Sequence, residues 1–141
     1  MTLLKRSMPV RAIRLVMMVT LSAGLLLVSC QDETEIKQMN CHLLTAALEF
    51  TEDSIQVMYR FEAKGDCEPE SFFYYTDSQK VTINNPDTLA EVYTTLSTQK
   101  WIQAGAVGTT MNGSIKVSFK AVALSKTYEA MDQCQQNIVT E

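Results

Sequence analysis

From Leu44 to Phe61 the apolar residues fall on every second position, and no other stretch restricts the chain as much. Leu44, Ala46, Leu48 and Phe50 lie on one side of one extended run, and Ile55, Val57, Tyr59 and Phe61 on one side of the next. A turn at Glu52-Asp53 sets Phe50 opposite Ile55, Leu48 opposite Val57, Ala46 opposite Tyr59 and Leu44 opposite Phe61. A single register then puts every apolar side chain on one face, as a half-buried sheet requires. Residues 42–63 therefore read as a β-hairpin. The same residues allow an alternative. Met39, Leu43, Ala46 and Phe50 also recur at helical spacing, so a helix from Ile36 to Phe50 competes with the first strand.

Residues 71–84 repeat the alternation. A turn at Asp77-Ser78 sets Tyr74 opposite Val81 and Phe72 opposite Ile83, with Phe73 and Tyr75 on the other face. Residues 101–124 centre on Asn112-Gly113, the strongest short turn signal in the chain, and that register faces Ala106 with Phe119, Gly108 with Val117 and Ala104 with Ala121. Between these hairpins, Asn85 can cap a helix, Pro86 suits its first position and Asp87 complements its dipole. Leu89, Val92, Tyr93 and Leu96 follow at helical spacing, which predicts a helix at about 86–97. A short C-terminal helix is expected over 126–137, with Tyr128, Met131 and Cys134 facing inward. The expected fold class is α+β and β-rich: three antiparallel hairpins, as a sheet or a sandwich, with two helices.

The chain begins differently. Lys5, Arg6, Arg11 and Arg14 precede an uncharged, mostly apolar run from Leu15 to Val28, which is shorter than a membrane span of about 20 residues and fits a secretory leader. The run closes on Leu27-Val28-Ser29-Cys30, which resembles the lipobox of bacterial lipoproteins. The resemblance implies cleavage before Cys30, diacylation of its thiol and acylation of the new amino group. One acyl chain holds a protein only marginally, and several hold it stably. Gln31 rather than an aspartate follows Cys30, which the resemblance reads as sorting to the outer membrane. Asp32, Glu33 and Glu35 look like the acidic signal that sends lipoproteins of some Gram-negative bacteria to the cell surface. The expected division is residues 1–29 as signal peptide, 30–40 as lipidated N-terminus and flexible tether, and 41–141 as a single small globular domain.

The leader carries 4 of the 12 basic residues and none of the 16 acidic ones, so its removal takes the net charge from −4 to −8. A surface of that sign repels nucleic acid, which needs a basic footprint. Three cysteines remain after Cys30 is lipidated, and no CxxC spacing suggests zinc or redox chemistry. In the oxidising compartment beyond the inner membrane one disulfide and one free thiol are expected. The first hairpin's register puts Cys41 opposite Lys64, and Gly65-Asp66 can turn the chain back. The expected pair is thus Cys41 with Cys67; the alternative is Cys67 with Cys134, leaving Cys41 free.

Catalytic groups are sparse. The lone histidine, His42, neighbours Cys41, but adjacent strand residues point to opposite faces, so the two make no nucleophile–base pair. Met39, Cys41 and His42 are ligand types that suit copper(I), without a recognised spacing. Asp66, Glu68 and Glu70 form an acidic loop that lacks the calcium-loop pattern. Gly105 and Gly108 lack the lysine and serine of a phosphate loop. Phe72, Phe73, Tyr74, Tyr75 and Trp101 form the most suggestive set, suited to stacking on sugars or to protein contacts as well as to a core. Asp53-Ser54-Ile55 and Asp87-Thr88-Leu89 resemble the three-residue O-glycosylation motif of some bacteria rich in surface lipoproteins. The reading is a non-enzymatic outer-membrane lipoprotein displayed at the surface that acts as a binding or accessory domain without cofactor or metal; its ligand is not specified by the sequence, a glycan or a protein being the candidate partners besides the membrane. The alternative is a periplasmic enzyme or metal carrier.

Overall fold

A computed structural model describes residues 37–137. Every element among them is a strand: β1 (Met39–Leu44), β2 (Leu48–Glu49), β3 (Ile55–Tyr75), β4 (Lys80–Asn84), β5 (Leu89–Leu96), β6 (Trp101–Ile102), β7 (Ala104–Ala123) and β8 (Lys126–Gln136). The domain is all-β, and this corrects the α+β expectation. The lipobox with Cys30, and the acidic residues Asp32, Glu33 and Glu35, lie outside the described residues.

The long strands β3 and β7 run antiparallel along nearly their whole lengths, and each serves two partners on its far side. The first part of β3 pairs with β5 and its last part with β4. The first part of β7 pairs with β1 and its last part with β8. One half of the sheet therefore reads β5-β3-β7-β8 and the other β4-β3-β7-β1. The two halves fold onto each other, because rings from opposite ends of the same strand touch. Tyr59 lies 5.2 Å from Tyr74, and Phe61 lies 5.7 Å from Phe72, centroid to centroid. Ala104, Ala106 and Ala121 from β7 leave room for these rings.

Two bulges make the fold-over possible. Pairing slips between Asp66 and Cys67, leaving Met111 unmatched on β7, and again between Pro69 and Ser71, leaving Glu70 unmatched on β3. One extra residue moves every later side chain to the other face. Accordingly β3 buries odd positions up to Ala63 and an even one, Phe72, after the bend, while β7 buries Ala104, Ala106 and Thr110 before it and Ile115, Val117 and Phe119 after it. Gly65 has φ 75°, and a side chain there would press on the backbone of Asn112 and Gly113.

Several expectations are corrected by this topology. The hairpin over 71–84 is present, with Phe72 opposite Ile83 and Tyr74 opposite Val81. The hairpin over 42–63 is not. Its second strand exists, but β1 pairs with β7, burying Cys41 and Leu43 and leaving Leu44 54% exposed. The helix considered for residues 36–50 is absent as well from the described part of that stretch, where β1 and β2 lie. Strand β1 starts at Met39, inside the stretch assigned to the tether. Asn112-Gly113 turns no hairpin; it lies within β7 at the bend, and Ala106 faces Phe72 while Phe119 faces Tyr59.

The expected helix at about 86–97 is β5. Its run of Val92, Tyr93, Thr94 and Thr95 favours a pleated surface, and β3 offers it an eight-residue ladder from Glu62 to Ile55. Asn85, cast as a helix cap, turns the chain with φ 48° instead. The expected C-terminal helix is β8, where Tyr128, Ala130, Asp132 and Cys134 alternate inward and Met131 is 61% exposed.

The disulfide is corrected too. Cys41 bonds to Cys134, with Cα atoms 5.8 Å apart, and Cys67 is the free thiol. Folding the sheet brings the edge strands β1 and β8 together, where the Leu44 amide also donates to Asp132 at 2.9 Å. Cys67 instead packs at the bend, its sulfur 3.4 Å from the Thr110 hydroxyl.

Candidate binding face

The outer face of the β4-β3-β7-β1 half carries the aromatic set, and the register explains how. Phe72 points into the core, so Phe73 and Tyr75 on the same strand point out. Phe73 pairs across the sheet with Gly105, whose neighbour on β1 is Leu44. Gly105 is needed there: a Cβ would collide with the Phe73 ring and with the Leu43 carbonyl. The Lys80 ammonium sits 3.7 Å from the Phe73 centroid on β4, a cation–π contact that contributes about 0.5–1 kcal/mol at an exposed site. Tyr75 meets Phe73 edge to face, at 6.2 Å and 90°.

Trp101 completes the row from a remote part of the sequence. It lies on β6, which pairs only with β2, and its ring centroid is 4.4 Å from that of Tyr75. The segment leading to it is held by Asp77, at the tip of the β3–β4 hairpin. One Asp77 carboxylate oxygen accepts the Ser97 hydroxyl at 2.6 Å, and the carboxylate also accepts the backbone amides of Ser97, Thr98 and Gln99. Gln99 in turn donates to the Trp101 carbonyl at 3.0 Å. The Ser97 hydroxyl, with the three amides, holds the Asp77 carboxyl down at about 2. From the core side, the buried Tyr59 hydroxyl donates to the Tyr75 carbonyl at 2.9 Å, and burial pushes that phenol well above its ordinary range.

Lys80, Phe73, Tyr75 and Trp101 thus form a continuous, half-exposed ridge on a rigid support, with exposed Leu44 beside Gly105. Of the sequence-derived aromatic set, Phe73, Tyr75 and Trp101 come together on this face, while Phe72 and Tyr74 belong to the core cluster. Asp77 was read only as a turn residue. Its grip on residues 97–99 had no local signal, because its partners lie some twenty positions away.

The other candidates are not assembled. His42 is exposed on β1, opposite Val107, while Cys41 beside it is buried in the disulfide. Met39 packs against the core on the same side as the disulfide-bonded Cys41, and His42 lies on the other side of the strand, so the three possible copper ligands do not converge. Asp66, Glu68 and Glu70 lie along the bend of β3 and are exposed. No group of three or more His, Cys, Asp or Glu side chains converges among the described residues. On the opposite outer face a shallow groove of about 360 Å³ runs past Met58, Tyr93, Lys120 and Val122. The chain matches no protein-family profile, no curated protein and no solved structure.

Proposed function

We propose that this protein is a non-enzymatic lipoprotein, anchored in the outer membrane through acyl chains on Cys30, that presents an aromatic carbohydrate-binding face at the cell surface. The observation that carries the reading is the ridge in which Tyr75 and Trp101 present their rings, flanked by Phe73 with the Lys80 ammonium over it. Sugar rings offer flat C–H faces that stack on aromatic side chains, and their hydroxyls accept from an ammonium such as Lys80. A neutral glycan also meets no repulsion from a chain whose net charge after loss of the leader is −8, whereas nucleic acid does. The anchor rests on the lipobox-like stretch at Leu27 to Cys30, and surface display on Asp32, Glu33 and Glu35.

The test separates binding from anchoring. Purified domain is applied to a glycan array and to affinity gels containing polysaccharides. Trp101→Ala and Tyr75→Ala should abolish retention without unfolding the domain; failure of the unaltered protein to retain any glycan refutes the binding face. Cys30→Ala should release the protein from membranes. Mass spectrometry of the N-terminal peptide should show acyl chains on Cys30, and an intact leader in the mature protein would falsify the anchor. Replacing Asp32, Glu33 and Glu35 with alanine should hide the protein from protease added to whole cells.

A further inference from the structure

We propose that Thr88 is the attachment site of an O-linked glycan, read by a glycosyltransferase from the exposed triplet Asp87-Thr88-Leu89. The chain contains three places where an aspartate precedes a serine or threonine: Asp53-Ser54, Asp77-Ser78 and Asp87-Thr88. The fold sorts them. Asp77 is occupied by its hydrogen bonds to residues 97–99, and Gln79 rather than an apolar residue follows Ser78. Ser54 is exposed, but Ile55 after it is only 1% exposed, because it opens β3 and packs in the core. Reading that triplet requires drawing the strand end out of the sheet. At Asp87-Thr88-Leu89 all three side chains face solvent, Leu89 at 51% exposure.

The connection that displays the triplet is held on both sides of the β3 bend. The Asn85 amide donates to the Glu70 carbonyl at 2.8 Å, and the Ala63 amide donates to the Thr88 carbonyl at 2.7 Å. Pro86 between them is buried. The Thr88 backbone is therefore fixed, while its hydroxyl has no hydrogen-bond partner among the described residues. An acid, a free hydroxyl and an exposed aliphatic chain on a fixed backbone give an enzyme three points of recognition, and modification breaks no contact within the domain.

The transfer balances with a glycosyl diphosphate donor. The Thr88 Oγ1 attacks the anomeric carbon, the bond from that carbon to the phosphate oxygen breaks, and its electron pair leaves with the diphosphate. The hydroxyl proton passes to a base of the transferase. This inference rests on the export part of the proposed function, since the folded domain meets the transferase outside the cytoplasm, and is independent of the aromatic face.

The test is peptide mass spectrometry of the full chain purified from membranes of its native host, following the peptides that contain Cys30, Ser54, Ser78 and Thr88 separately. The Thr88 peptide should carry a glycan mass removable by mild base. Thr88→Val and Asp87→Ala should remove it, Thr88→Ser should keep it, and matching melting temperatures establish that all three fold. Ser54 and Ser78 should be bare. A lipidated Cys30 with a bare Thr88 overturns this inference and leaves the anchor standing. An uncleaved leader with a bare Thr88 overturns both. Equal occupancy of Ser54 and Thr88 overturns the claim that the folded domain is the substrate.

Discussion

Breaking the Cys41–Cys134 bond should cost the domain a large part of its stability. The bond joins residues separated by 93 positions, so it closes a loop containing almost every strand of the fold. Chain entropy assigns a loop of that length about 4.6 kcal/mol, against about 3.6 kcal/mol for the shorter Cys41–Cys67 loop expected from the sequence. Small domains have about 5–15 kcal/mol in all. For a domain of this size 1 kcal/mol moves the midpoint by about 4–8 °C, so reduction should lower the melting temperature by roughly 20 °C or more. The assay is thermal unfolding followed by circular dichroism, for unaltered protein with and without dithiothreitol and for Cys41→Ala/Cys134→Ala. Reduction isolates the cross-link from the packing lost with the buried Cys41 side chain. Peptide mapping without reduction must find 41 joined to 134. A shift under about 5 °C refutes the entropic reasoning, and a 41–67 linkage refutes the sheet topology behind it.

Asp77→Asn should lower the melting temperature at neutral pH. Because the Asp77 carboxyl is held at about 2 in the folded domain against 3.8 ordinarily, its stabilisation is complete above about pH 4 and is lost as pH falls toward 2. The gap between variant and unaltered protein should close over that window in a pH series of thermal melts. Gly105→Ala should destabilise by about 1–3 kcal/mol in urea unfolding, since the new methyl meets the Phe73 ring and the Leu43 carbonyl; pairing it with Phe73→Ala should relieve part of the loss. Phe72→Ala, removing a fully buried ring, should cost about 3–5 kcal/mol in the same assay. His42→Ala, on an exposed position, should change neither melting temperature nor glycan retention.

The parts of the fold visible in the sequence are those set by neighbours along the chain. The β3–β4 hairpin was readable because its turn residues and its alternating strands lie within fifteen positions, and one register satisfied them all. The inward set Ile55, Val57, Tyr59 and Phe61 was readable for the same reason. The bulges at Met111 and Glu70 were not, since an unmatched residue has no composition of its own and shows only against its partner strand. Without them Asn112-Gly113 is a hairpin turn by every local rule, and the sheet cannot be folded over. β1 met the opposite difficulty. Its partner lies more than sixty residues away, so a nearer and equally apolar run took its place in the reading. For Leu89 to Leu96 the helical spacing and the alternation coexist, and the waiting edge of β3 decides between them. At the candidate binding face the aromatics themselves were visible. What assembles them was not: Gly105 under Phe73, and the Asp77 carboxylate that brings the Trp101 segment to Tyr75.

The Cys41–Cys134 bond also determines how the domain bears mechanical load. A pull on the N-terminal end of β1 can peel only Met39 and Asn40 from β7 before it reaches Cys41. There the force leaves the first strand and passes through the sulfur bridge into β8, whose ladder with β7 runs for eleven residues. The domain is therefore fastened two residues into its first strand, and a reductant would let the same pull go on peeling β1 from β7.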